Sequence, residues 1–183
     1  MRESLLQIGA RLRSSKWGGK SYLPVYDELF KTWRDEPITI VEIGIDHGNS
    51  LQMWLEYFTK ARIIGIDGCL EYVTWANKMH PRISAHHHLQ QDAEVGRIMS
   101  TFAPTIIVDD ASHDHVAEMI TFNNCWQYIQ PGGLYCIEDI QHAHEIPIWK
   151  HIGATVYAGY TSSEWGDYRY DDVLVVLRKE QNV

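Results

Sequence analysis

Basic charge is in short supply in this chain. Sixteen Lys and Arg stand against 24 Asp and Glu, a formal net charge of -8 over 183 residues. Binding to a phosphate backbone needs clustered Lys and Arg, so the deficit argues against a broad nucleic-acid face, and no nucleic-acid partner is expected. Long apolar runs are missing as well. No stretch approaches the length of a membrane span, and the N-terminus carries no signal-like apolar segment. Cysteine is scarce: Cys69, Cys125 and Cys136 make no C-x-x-C pair, and an odd count suits a reducing compartment better than a disulfide framework. Together these absences predict a cytoplasmic protein without a membrane partner. The length suits one sizeable core rather than two domains. The expectation is a single domain over 1–183, with a helical segment at 1–36 ahead of an α/β core at 37–183.

The stretch that organises the rest is ITIVEIGIDHGNS, Ile38 to Ser50. Ile38 to Glu42 is β-branched and apolar, as in a strand buried on both faces, and Glu42 closes it with an acid. Gly44 and Gly48 bracket a turn, and Asn49 or Ser50 is placed to cap a helix from Leu51, whose Leu51, Trp54, Leu55 and Phe58 share one face. Strand, glycine turn and helix make the nucleotide-binding corner of a doubly wound fold. A dinucleotide fingerprint is lacking: Asp46 takes the place of the second glycine and would repel a diphosphate, and no third glycine follows in step. The pattern E-x-G-x-x-x-G-x-S instead resembles the first motif of class I S-adenosylmethionine (AdoMet) methyltransferases, whose glycine turn binds no phosphate. An ordinary strand-to-helix turn, with glycines placed for geometry, is the alternative.

Further strands follow at Arg62–Ile66, Ile83–Leu89, Thr105–Val108, Leu134–Ile137, Ala154–Ala158 and Val173–Leu177, separated by helical stretches such as Tyr72–Lys78 and His115–Ile129. In the last of these, Val116, Ile120, Phe122, Trp126 and Ile129 are predicted to face the core. Helices are also expected at Glu3–Arg13 and Tyr26–Trp33. The fold class predicted is a Rossmann-like α/β fold, with a mostly parallel seven-stranded sheet and helices on both faces.

The chemistry collects at strand ends. Asp67 follows the second strand, where nucleotide-binding folds place the carboxylate for the ribose hydroxyls. Asp92, after the third, is placed to accept from an adenine amino group. His86, His87 and His88 alternate in direction and cannot converge on one metal, so they read as an edge feature. The fourth strand runs into Asp109, Asp110, Ser112, His113, Asp114 and His115, and the fifth into Glu138 and Asp139. Two neighbouring strand ends thereby bring Asp110, Glu138 and Asp139 together with His113 between them. Such carboxylates repel one another unless a cation holds them. Oxygen donors suit a hard divalent ion such as Mg²⁺, with open positions for two hydroxyls of a diol. The competing account makes both acid pairs capping and solvated turn charges. The loop YTSSEWGDYRYDD, with Tyr160, Trp165, Tyr168 and Tyr170, is either an acceptor lid or a solvated hairpin. Gly19-Lys20-Ser21 is not a phosphate loop, because Ser14 stands where the loop needs glycine.

Taken together, VEIGIDHGNSLQMW, IIGIDG, IIVDDASHDH and PGGLYCIEDI, with KSYLPVYDELF ahead of them, resemble the macrocin and mycinamicin sugar O-methyltransferases and the related cephalosporin-pathway enzymes. The resemblance implies AdoMet and Mg²⁺ as cofactors, Asp110, Glu138 and Asp139 as metal ligands, and His113 as general base. It places Glu42, Gly44, Gly48 and Asp67 at the cofactor; Ser50, Asp92 and Asp109 complete that set. The activity expected is O-methylation of a hydroxyl on a small-molecule acceptor such as a sugar or natural product, with a homo-oligomer as the further partner considered. The rival classes are an NAD-dependent oxidoreductase on the same fold and a non-catalytic AdoMet-binding protein.

Overall fold

The computed structural model describes residues 2–17, 22–158 and 173–181. Seven strands form one sheet in the order β3-β2-β1-β4-β5-β7-β6. They are β1 Thr39–Ile43, β2 Arg62–Asp67, β3 Ile83–His87, β4 Ile106–Asp109, β5 Leu134–Ile137, β6 Thr155–Ala158 and β7 Val173–Arg178. The first five are mutually parallel, while β7 runs antiparallel to both β5 and β6. The mostly parallel sheet read from the sequence is therefore what the chain builds.

Side-chain alternation along the strands sorts the core into two layers. Ile40, Ile63, Ile83, Ile106, Val108, Leu134 and Cys136 face one way. They pack under helices α1 Leu5–Leu12, α2 Tyr22–Phe30, α3 Asn49–Tyr57 and α4 Leu70–Ala76. Val41, Ile43, Ile64, Ile66, Ile107, Tyr135 and Ile137 face the other way. Against them lie α5 Ala93–Phe102, α6 His115–Cys125 and α7 Ile146–His151. Helices cover both faces, as a parallel sheet requires. Among the described residues no helix is long and apolar enough to cross a membrane.

Several local readings are corrected. Gly48, in the left-handed region at φ 75°, is the N-cap of α3, so Asn49 and Ser50 lie inside the helix and do not cap it. The inward face of α6 is Ala117, Thr121, Phe122 and Cys125, whereas Val116 and Ile120 are exposed. The reason is the break after Cys125, where a 3-10 turn at Trp126–Tyr128 shifts the periodicity that the sequence suggests is continuous. The histidine run falls on β3, the sheet's edge strand, where His86 lies beside Phe102 and His87 beside Gly68. Helices α5 and α7 have no counterpart in the sequence reading.

Two crossing directions leave the sheet at β1. The chain steps outward through β2 to β3, then returns to β4 on the opposite side of β1. Ligands of open α/β sheets bind outside the carboxyl ends of strands at such a switch point.

Candidate active site at the carboxyl ends of β1, β4 and β5

The register of the parallel strands decides which acids meet. Ile43 pairs with Asp109 and Asp109 with Ile137, which sets Asp110 beside Glu138 one residue further on. By alternation Glu42, Asp110 and Glu138 share the face covered by α1 and α2, while Asp109 turns to the other. Between the three lies a side chain that the sequence reading did not place. The Nζ of Lys16 is 2.6 Å from Asp110 Oδ2, 3.0 Å from Glu138 Oε1 and 3.1 Å from Glu42 Oε1. Lys16 gets there because α1 ends on Arg13 in the left-handed region at φ 53°. There the Ser14 N–H closes back on the Gly9 carbonyl and the chain turns inward. Wholly buried, the Lys16 ammonium has its pKa raised by Asp110, Glu138 and Glu42, which outweigh the opposing effect of burial. Burial pushes the Glu138 carboxyl up to about 8, with Lys16 pulling it down and Asp110 pushing it up. One ammonium thus faces three carboxyl groups.

Two tyrosines four residues apart on α2 complete this wall. Tyr26 donates to Glu138 Oε1 at 2.8 Å, and Tyr22 donates to Asp139 Oδ1 at 2.6 Å while accepting from the Asp139 N–H at 3.1 Å. Burial, then the neighbouring carboxylates, raise both phenol pKa values, which keeps them donors. Their i, i+4 spacing in KSYLPVYDELF is the signal that could have found them. Glu42 has two further partners, accepting from Ser50 Oγ at 2.7 Å and Trp54 Nε1 at 3.2 Å.

Asp110, Asp139 and His113 converge. Their ligand-type atoms lie within 4.8 Å of one another. His113 Nε2 is 3.9 Å from Asp110 Oδ1 and 3.7 Å from Asp139 Oδ2. Both His113 (φ 54°) and Asp139 (φ 57°) occupy the left-handed region, which side-chain-bearing residues pay about 1–2 kcal/mol to enter. Such strain collects where a side chain must be aimed. Glu138 stands beside the cluster, its second oxygen Oε2 buried without a hydrogen-bond partner.

Alongside runs a crevice of about 410 Å³ lined by Gly44, Asp67, Gly68, Gln90, Gln91 and Ser112 among others. Asp67 holds its rim together: Oδ2 accepts from the Ile45 and Asp46 N–H groups at 2.9 and 3.2 Å, and Oδ1 from Cys69 at 2.7 Å. Gln90, also absent from the sequence reading, accepts from the Ser112 N–H at 2.8 Å and ties the two sides. At Gly44 (φ 85°) an added Cβ would lie 2.1 Å from the Asp110 carbonyl, so this glycine lets β1 and β4 close together. An added Cβ at Gly48 would meet the Trp75 ring at 2.4 Å. Asp46 and His47 pair with each other and point into solvent.

Two expected site residues sit elsewhere. Asp92 is the N-cap of α5 and its carboxylate accepts from the Leu89 N–H at 3.0 Å; the residues lining that side of the crevice are His88 to Gln91. Asp109 is buried under α6, accepts from Tyr135 Oη at 3.0 Å and is raised to about 7 by burial. The aromatic loop with Tyr160, Trp165, Tyr168 and Tyr170, and Gly19-Lys20-Ser21, lie outside the described residues.

No family model matches the chain. It is 30% identical over 149 residues to the 8-demethyl-8-alpha-L-rhamnosyl tetracenomycin-C 2'-O-methyltransferase of Streptomyces olivaceus, covering 76% of this chain and 38% of that protein. It is 31% identical over 159 residues to the demethylmacrocin O-methyltransferase of Streptomyces fradiae, covering 81% and 38%. The chain therefore spans about two-fifths of the length of these curated relatives. Its structure superimposes with a TM-score of 0.77 on MycE, a methyltransferase of the mycinamycin pathway solved with Mg, SAH and mycinamycin VI. The match covers 98% of this chain and 55% of MycE at 24% identity. By sequence, and with a class I methyltransferase fold, the chain belongs to the family of sugar O-methyltransferases of the macrocin and mycinamicin type.

Proposed function

We propose that the protein is an AdoMet-dependent, Mg²⁺-assisted O-methyltransferase acting on a hydroxyl, in the first instance one of a vicinal pair, on a sugar or related natural product. The observation that carries the reading is the convergence of Asp110, His113 and Asp139 at adjacent strand ends, beside the crevice at the switch point. The donor set fits a divalent cation. Two carboxylates bring oxygens within 4.8 Å, and Glu138 adds a buried oxygen with no partner. Asp110, Glu138 and Asp139 are the residues that would hold it. The crevice fits AdoMet in its chemistry: it offers acids and amides, and no cluster of Lys or Arg to meet a phosphate. Relatives named as sugar O-methyltransferases support the same assignment.

When bound, AdoMet supplies the methyl group, and the cation polarises the acceptor hydroxyl. The chain's residues do the rest. Asp67, Gly44 and Gly48 shape the cofactor side of the crevice, with Glu42 and Ser50 fixing the start of α3 from beneath. His113 Nε2 takes the proton from the acceptor hydroxyl as the oxygen–methyl bond forms. Asp110 and Asp139, each within 4 Å of that nitrogen, flank the imidazole. Tyr22 and Tyr26 hold Asp139 and Glu138 at fixed angles, so little reorganisation is left for the reaction. The acceptor is a small neutral or cationic molecule, since a net charge of -8 and an acidic site repel a polyanion.

The test is a mass screen for methylated products across sugars and glycosylated natural products with AdoMet and Mg²⁺, run beside calorimetric titration of AdoMet. A product whose formation stops in EDTA and resumes with Mg²⁺ supports the reading. AdoMet binding without any product favours a non-catalytic binder, and affinity for NAD in its place overturns the cofactor.

A further inference from the structure

Behind the site just described lies a second group of ligand-type side chains that the proposed methyl transfer does not use. His115, on the first turn of α6, Glu118 one turn on, and Glu145, at the start of α7, have ligand atoms within 4.8 Å of one another. Glu118 is 1% exposed and Glu145 is 0% exposed. Neither oxygen of either carboxyl has a hydrogen-bond partner, and neither does His115 Nδ1, which lies 3.9 Å from Glu145 Oε2. Among the described residues no Lys or Arg forms an ion pair with the two acids. Four carboxyl oxygens left bare in the protein interior are costly, and buried polar groups almost always have partners.

We propose that His115, Glu118 and Glu145 form a second cation site that takes a divalent first-row transition-metal ion. One imidazole nitrogen and two carboxylate oxygens suit Zn²⁺ or its neighbours better than Mg²⁺, which prefers oxygen alone. Tetrahedral ligands at Zn–N and Zn–O lengths of about 2.0–2.2 Å stand about 3.3–3.6 Å apart, so the three atoms close on an ion with a side-chain shift on the order of 1 Å. The His115 side chain is partly exposed, which gives the ion a way in. The site joins the β4–α6 loop, which carries Asp110 and His113, to the β5–α7 loop, which carries Glu138 and Asp139. An ion there ties the two halves of the first site together from behind.

Equilibrium dialysis of the full chain against Zn²⁺ alone tests this, with an Asp110→Asn/Asp139→Asn double variant to silence the first site. One tight equivalent is expected to remain in the double variant and to disappear when Glu118→Gln or Glu145→Gln is added. Zn²⁺ should raise the melting temperature of the double variant and leave the two Glu→Gln derivatives unmoved. In EDTA each Glu→Gln change should melt no lower than its parent, because it removes an unpaired buried carboxyl; this also shows that the derivatives fold. Zinc held by His86–His88 or other surface histidines would persist in the Glu→Gln variants. Unchanged stoichiometry in both, or no tight equivalent in the double variant, overturns the site. The readout does not depend on methyl transfer, so its failure and that of the proposed function are separable.

Discussion

Lys16→Met is the substitution with the largest consequence for the architecture of the site. It keeps the length and apolar stem of the side chain and removes only the charge. In the structure that charge lies 2.6–3.1 Å from three carboxyl groups, with the lysine side chain 1% exposed. At an effective dielectric of about 20, each contact near 3 Å with an ionised carboxylate is worth about 5 kcal/mol before the cost of desolvation. Most of that gain offsets the cost of burying the ions, so the net effect is set by what remains after the lysine goes. Removing one partner of a buried ion pair costs about 3–5 kcal/mol, because the other charge is left uncompensated. For a chain of this size, that lowers the melting temperature by about 6–20 °C. The assay is urea or thermal unfolding at neutral pH in EDTA, wild type beside Lys16→Met. Acidification should narrow the difference. Glu138 already titrates near 8, above the ordinary carboxyl value, so the folded state holds a proton that the unfolded state has released. Stability linked to Glu138 therefore falls as pH rises between the unfolded value and about 8. Losing Lys16 widens that window upward. A Lys16→Met protein as stable as wild type at neutral pH would falsify the reasoning and make the ammonium a net desolvation burden.

Three further outcomes follow from the same geometry. His113→Ala should lower the maximal rate about 10²–10⁴-fold while AdoMet affinity stays near wild type, as single-turnover kinetics beside calorimetry will show; a full rate removes His113 as base. Asp67→Ala should weaken AdoMet binding by about 1.5–3 kcal/mol, the worth of hydrogen bonds to a charged group, and unaltered affinity would leave this acid a brace for the turn. Gly44→Ala should cost about 2–5 kcal/mol of stability in denaturant titration, summing the left-handed penalty and the overpacking against the Asp110 carbonyl.

The fold was legible because its signal is periodic and local. Runs such as IIGI and TIIV announce buried strands, and the glycine turn after Ile43 announces the switch-point corner. Helices α5 and α7 were not read, for different reasons. Helix α5 carries Gly96 in its first half, which weakens the helical pattern in sequence; its missing side chain admits the Asn124 carbonyl from α6, a contact invisible along the chain. Helix α7 spans six residues, with Pro147 second in it after the Glu145 cap, too short for a hydrophobic period to show. The core face of α6 was misassigned because the break after Cys125 resets the phase.

The site was legible by half, and the missing half has one cause. Strand ends are marked in sequence by the acids themselves, but what an acid touches depends on parity and on segments far away. In Asp109-Asp110 the alternation sends the first carboxyl under α6 to Tyr135 and the second across the sheet to Lys16. Glu138-Asp139 is divided another way: Glu138 follows the alternation to Tyr26 and Lys16, and a left-handed Asp139 turns its carboxyl toward His113. An adjacent acid pair at a parallel-strand end thus sends its two members to different partners. The cation inferred for these acids from sequence was an ion alone; the structure supplies an ammonium from position 16 as well, ninety-four residues away from Asp110. Among the described residues that lysine pairs with Asp110, Glu138 and Glu42, while Asp139 lies 3.7 Å from His113. Lys16 offsets one of the carboxylate charges, and Tyr22 and Tyr26 satisfy carboxylate oxygens without adding charge, so the acidic charge left over is what a substrate or a cation meets.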